Sequence, residues 1–226
     1  MAERLVSLVG SQAAPVRHIH FDGITFERSR PTFLGGPTSR RFMASGSGDW
    51  SIYPSAAVYL SGSENIVLSG CTLREIGGNA VMMRGFNRWN RVSSNEIHGC
   101  GDSAVVLLGS PRGGMISADV TDSNVPQDVI VHKNHIHETG VLTKQSSPIF
   151  LGISYHNNVT DNAMYNGPRA GINFNDNAGG VSPSTVSTHT RSLLQENTQQ
   201  NVPQFYSTHS RTHFFVPIKK KIKVAV

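Results

Sequence analysis

Apolar and polar residues alternate over short stretches of this chain, and the stretches repeat. The segment Asn90 to Gly109, NRVSSNEIHGCGDSAVVLLG, lies on Ile66 to Met83, IVLSGCTLREIGGNAVMM, when moved back by about 24 residues. Val92 then falls on Leu68, Ile97 on Leu73, Gly101 on Gly77, Ala104 on Ala80 and Val105 on Val81. VHKNHIHETG (Val131 to Gly140) and VTDNAMYNGPRAGI (Val159 to Ile172) carry the same theme, and FDGITF (Phe21 to Phe26) opens in the same way. Period-two alternation is that of a strand with one buried face. It turns Val58, Leu60, Val81, Met83, Val105 and Leu107 inward, and Tyr59, Ser61, Met82, Arg84, Val106 and Leu108 outward. In Val16 to Ser29 the inward set is Ile19, Phe21, Ile24 and Phe26, broken by a corner at Asp22-Gly23. Strand, turn and strand at a fixed period predict an all-β solenoid of parallel coils, each burying its apolar side against its neighbours.

Three stretches interrupt the period. Arg30 to Ser55 is rich in Pro, Gly, Ser and Arg and contains GSGDWSIYP; Pro111 to Gln127 and Val141 to Pro148 follow. These read as loops over the solenoid surface. Several outward residues are apolar, so the insertions are expected to cover part of that face.

The same alignment stacks polar residues in columns. Asn95, Asn134 and Asn162 each follow an apolar residue (Val92, Val131, Val159) by three. Asparagine tolerates left-handed backbone, and its amide can bond the next coil's backbone, so a ladder of corner asparagines is expected. Thr72, Glu96, His135 and Ala163 form a second column; Arg74, His98, His137 and Tyr165 form a third. Parallel strands lie about 4.8 Å apart, which brings Glu96 to His135 and His98 to His137. A His pair beside Glu96 has metal-ligand character, although a solvated polar ladder is the commoner outcome. His18 and His20 read as solvated strand-face residues. Cys71 aligns with Asn95 and Cys100 with Ile76, at different corners, so both are expected as free, buried thiols.

Charge changes the picture little. The formal charge of +5 belongs to the segment after Val181, which holds six Lys and Arg against one acid, Glu196. The repeats are neutral and show no basic face of the kind nucleic acid requires. No apolar run is long enough to span a bilayer. MAERLVSLVGSQAAP lacks the apolar core and cleavage site of a signal peptide and reads as the end of an earlier strand, LVSLVG. Beyond Gly180 the period stops. Residues 1–180 are thus expected to form the solenoid, and residues 181–226 a disordered basic tail. The Lys219 to Lys223 cluster is read as solvated in preference to a nuclear-import or acidic-surface patch.

The densest polar group in the repeats is NGPRAGINFNDNAGG, Asn166 to Gly180. Ile172 and Phe174 continue the inward columns, turning Asn173 and Asn175 outward. Arg169 stands at the entry of this strand and Asp176 at its exit. The two can pair as a staple across the turn, or can serve a ligand.

GDWSIYPSAAVYLSGSENIVLSGCTLREIGGNAVMM, GDSAVVLLG and NGPRAGINFNDNAGG resemble the right-handed parallel β-helix (pectin-lyase-like) superfamily, and more closely its large right-handed β-helix region proteins. The resemblance runs from about Leu5 to Gly180 and implies a right-handed parallel β-helix of about five coils. The superfamily includes pectate lyases and polygalacturonases, so it also implies a secreted or extracellular, carbohydrate-active protein. Its partner would be a polysaccharide or glycan lying along the outward face of one strand stack. A lyase needs a base and a cation, such as Ca²⁺, beside the substrate carboxyl group; a hydrolase needs two carboxylates about 5 to 9 Å apart. The paired-Asp and Gly-His-Gly motifs of polygalacturonases do not occur here. Under this resemblance the catalytic candidates are Asp176, Arg169 and Lys144. The substrate-binding candidates are Asn173, Asn175, Arg84, Asp102, Trp50 and Tyr59. The alternatives are a non-catalytic glycan-binding or scaffold β-helix, or an inactive shortened form. A monomer is expected.

Overall fold

The computed structural model describes residues 1–32, 42–43, 51–109, 124–174 and 191–192. Trp50, Asn175, Asp176 and most of the expected tail lie outside these residues. Three parallel sheets run the length of the described structure. The first stacks Val6–Val9, Ala56–Glu64, Asn79–Arg88, Val105–Leu108, Ile149–Gly152 and Ile172–Phe174. The second stacks His20–Asp22, Val67–Ser69, Arg91–Ser93, Ile130–His132 and Asn158–Thr160. The third stacks Thr25–Glu27, Thr72–Ile76, Glu96–Cys100, His135–His137, Ala163–Tyr165 and Arg191–Ser192. The chain visits the three sheets in turn and so forms a parallel β-helix. Among the described residues the antiparallel pairing is that of Phe42–Met43 with Ser51–Ile52, within the first insertion. LVSLVG contributes a strand, as its alternation predicts: Val6 pairs with Val58 and Leu8 with Leu60.

The inward columns close as the repeat requires. Val81 registers on Val105, Val105 on Ile149 and Ile149 on Ile172. Leu73, Ile97 and Ile136 form the equivalent buried column of the third sheet. Ile172 is only partly buried, packed against the edge of the core. Both cysteines are free and buried. Burial pushes the Cys100 thiol far up from its ordinary value and raises that of Cys71.

The asparagine ladder forms, with its amides buried. The Asn134 Oδ1 accepts from Asn95 N at 3.1 Å and from Asn95 Nδ2 at 2.9 Å. The Asn162 Oδ1 accepts from Asn134 N and Nδ2, both at 2.9 Å. The Nδ2 of Asn134 also donates to Val92 O at 2.9 Å, so each amide joins its own coil to the next. The ladder ends at Cys71, whose backbone N donates to Asn95 Oδ1 at 2.9 Å. One part of the expectation is corrected. The left-handed backbone at this corner belongs to the residue before each asparagine, and before Cys71 at the end of the ladder: Gly70, Ser94, Lys133 and Asp161 have φ of 60°, 56°, 53° and 55°. Bending the chain and bonding the next coil are thus divided between neighbouring positions.

Two further corners carry amides that the repeat did not single out. Ile66 N donates to Asn90 Oδ1 and Val129 N to Asn157 Oδ1, at 2.9 and 3.0 Å. Ser103 N donates to Asn79 Oδ1 at 3.1 Å, while Asn79 Nδ2 reaches Tyr53 O and Ser55 O. The spacing of about one coil was the available signal, since Asn90 falls on Ile66 in the alignment that places Asn95 on Cys71.

Candidate functional site

On the outward face of the first sheet the register forms one row: Tyr59, Met82, Val106, Phe150 and Asn173. Alternation predicts this direction, but the face is more fully shielded than polar candidates there would suggest. Met82, Val106 and Phe150 are at most 1% exposed, and they cluster with Ala56, Tyr59 and Leu108 in a second apolar core. Tyr59 does not offer a bare ring. The Arg4 guanidinium lies over it at 3.8 Å, held by a 2.8 Å hydrogen bond from Arg4 Nε to Ser55 Oγ. Asn173 ends the row at 2% exposure, and its Nδ2 has no hydrogen-bond acceptor among the described residues. An unsatisfied buried donor costs about 1–3 kcal/mol, so this amide is a place where a ligand oxygen would be favoured.

Three other candidates lie at the corner entering the first-sheet strands on successive coils. Asp102 precedes Val105–Leu108, Lys144 precedes Ile149–Gly152, and Arg169 precedes Ile172–Phe174. Asp102 is buried, and its backbone O accepts from Gly140 N at 2.8 Å. Its side chain is shielded from solvent, and its charge helps to raise the neighbouring Cys100 thiol. Gly140, with φ of 63°, lets the corner close: a Cβ there would collide with Pro168 and Ser146. Lys144 is exposed. Arg169 donates from Nη1 to Oε1 of Gln145, the residue after Lys144. The structure thus links Arg169 to the segment bearing Lys144, through a glutamine that lies in an insertion and has no equivalent in the repeat. Arg84 is set apart. It pairs in register with Ser61 and Leu108 at the far end of the strands.

The outer face of the third sheet is open by comparison. Glu96 registers on His135, and His98 on His137 and then Tyr165. The His98 and His137 rings stack at 4.8 Å between centroids, and Tyr165 stacks on His137 at 5.0 Å. Between the first two coils this sheet carries an ion pair, Arg74 Nη2 to Glu27 Oε2 at 2.7 Å. The Arg74 guanidinium holds the Glu27 carboxyl below its ordinary value.

A family profile described as right handed beta helix region matches residues 54–203. The chain belongs to this right-handed β-helix family. Its parallel coils therefore wind in the right-handed sense that the sequence resemblance implies. A solved structure titled "Glycoside hydrolase" shares the β-helix fold with a TM-score of 0.66 at 18% identity. The alignment covers 80% of this chain and 35% of that protein, so the β-helix described here spans about a third of the relative's length. Among curated proteins, none matches the sequence.

No helix among the described residues is long and apolar enough to cross a membrane.

Proposed function

We propose that this β-helix is a carbohydrate-active protein that takes a linear glycan at the Asn173 end of the first sheet. The observation that carries the reading is the buried Nδ2 of Asn173 on the outward row, a donor without an acceptor among the described residues. A sugar hydroxyl supplies the missing acceptor. The amide is shielded, so a glycan reaches it by displacing the atoms that cover it, and binding is coupled to that opening. Arg169 and the exposed Lys144 lie on adjacent coils at the entry corner, where guanidinium and ammonium groups suit the carboxylates of an acidic polysaccharide. The glycoside hydrolase that shares the fold supports the substrate class and leaves the reaction open.

Catalysis in this reading falls to Asp176 as the acid, with Arg169 and Lys144 holding the substrate carboxyl group and Asn175 a hydroxyl. The second reading, a glycan-binding protein without turnover, is favoured by Arg169, which is bound to Gln145, and by Asp102, which is buried. One experiment separates them. The full chain is incubated with a panel of acidic and neutral polysaccharides while binding, reducing ends and unsaturated products are followed. Unsaturated product identifies a lyase, reducing ends without it a hydrolase, and binding alone a lectin-like role. No binding to any member overturns the proposal.

A further inference from the structure

The outer face of the third sheet carries a group of side chains that the glycan reading does not use. Glu96 Oε1 stands 3.8 Å from His135 Nδ1 and 3.7 Å from His137 Nε2. The ligand atoms of Glu96, His135 and His137 all lie within 4.8 Å of one another. These separations exceed hydrogen-bond length, so the three groups converge without bonding directly. Two ligands of a tetrahedral metal with bonds of about 2.0–2.1 Å sit about 3.3 Å apart. Closing the remaining half ångström or so between Glu96 and each histidine, and at most about 1.5 Å between the two imidazoles, takes side-chain rotation, for which the exposed partners are well placed: the Glu96 and His135 side chains are 51% and 48% exposed.

His137 is the fixed member. Its side chain is 14% exposed, and its ring is clamped between His98 and Tyr165, with interplanar angles of 6° and 4°. Stacking occupies both faces of the ring and leaves its nitrogens at the edge. Nε2 faces Glu96, while Nδ1 faces Glu138 Oε2 at 3.7 Å. A carboxylate that closes from here to hydrogen-bond length of the distal nitrogen fixes the tautomer and orientation of a metal-bound imidazole.

The geometry points to a zinc-class divalent metal site formed by Glu96 Oε1, His135 Nδ1 and His137 Nε2, with Glu138 orienting His137. Two imidazoles and one carboxylate suit Zn²⁺ and leave a fourth position to solvent or substrate. They do not suit Ca²⁺, which takes oxygen ligands throughout. The site is independent of the first-sheet face.

The test is calorimetric titration of the full chain with ZnCl₂ at neutral pH, with Co²⁺ as a spectroscopic substitute. His135→Ala and Glu96→Gln are the deciding variants, because both side chains are exposed and their removal spares the ring stack; thermal melts confirm the fold. The wild type binds one Zn²⁺ and gives the visible absorption of tetrahedral Co²⁺. Each deciding variant weakens binding by about tenfold or more, the scale seen even for loss of an outer partner, and Glu138→Gln weakens it less. His156→Ala, which removes the histidine paired with Asp128 elsewhere, leaves the affinity unchanged. Absence of binding, or equal affinity in the wild type, His135→Ala and Glu96→Gln, overturns the proposal. The second result assigns any bound metal to other histidines.

Discussion

The outer faces of the first and third sheets are built by the same alternation and end in opposite states. On the first sheet the outward row Met82, Val106 and Phe150 is apolar and buried, and a lone amide closes it at Asn173. On the third sheet the outward columns are Glu96 and His135, about half open to solvent, and His98 and His137, whose rings stack across coils. Alternation determines which way a side chain points and is silent about what lies above it. The first face behaves as a second core, so its polar members stand out as costs; the third behaves as a surface, where polar members are cheap.

The comparison breaks first at Phe150. If the outward face of the first sheet is core, Phe150→Ala costs about 3–5 kcal/mol in a denaturant titration, whereas His135→Ala on the third sheet leaves the midpoint within error. Equal small effects would mean that the first face is not packed. A smaller loss is expected inside the coils. Asn134→Leu removes amide bonds to the coils on both sides and leaves their partners unsatisfied, at about 1–3 kcal/mol. An unchanged melting temperature would show that the ladder is not what joins these coils.

The smallest effect belongs to the exposed pair Glu27–Arg74. Its carboxyl is held below the ordinary glutamate value of 4.5. A depressed folded-state value means that the pair stabilises the fold above pH 4.5 and loses this contribution as the pH falls below it. Glu27→Gln should therefore lower the melting temperature slightly at neutral pH and low salt, and match the wild type in acid or at high salt. A difference that persists in high salt would contradict a screened surface pair.

Much of the fold was legible because one coil interval, Ile66 to Met83 against Asn90 to Gly109, is free of insertions. That interval gives the register of Val81 on Val105, of Ile97 on Leu73 and of Cys71 on Asn95 directly. The left-handed corner residues were not legible, since Gly70, Ser94, Lys133 and Asp161 share a backbone angle and no side-chain type. The site was legible in part. Asn173 points as alternation requires, yet its burial depends on cover that no periodicity encodes. Gln145 was missed because it sits in an insertion, where the repeat offers no column to compare it with. Glu138 was missed for another reason: it occupies a left-handed corner, with φ of 52°, just past the strand whose outward histidines drew the reading.

The glycan reading rests on Asn173, and one pair of measurements on one variant tests it most directly. Asn173→Leu replaces the unsatisfied amide by an apolar group on an apolar face, so the melting temperature should hold or rise. The same variant should lose the polysaccharide affinity of the wild type by about tenfold, the equivalent of about 1.4 kcal/mol. A variant that binds the polysaccharide as tightly as the wild type would contradict the account, and the glycan site would have to be sought elsewhere on the β-helix.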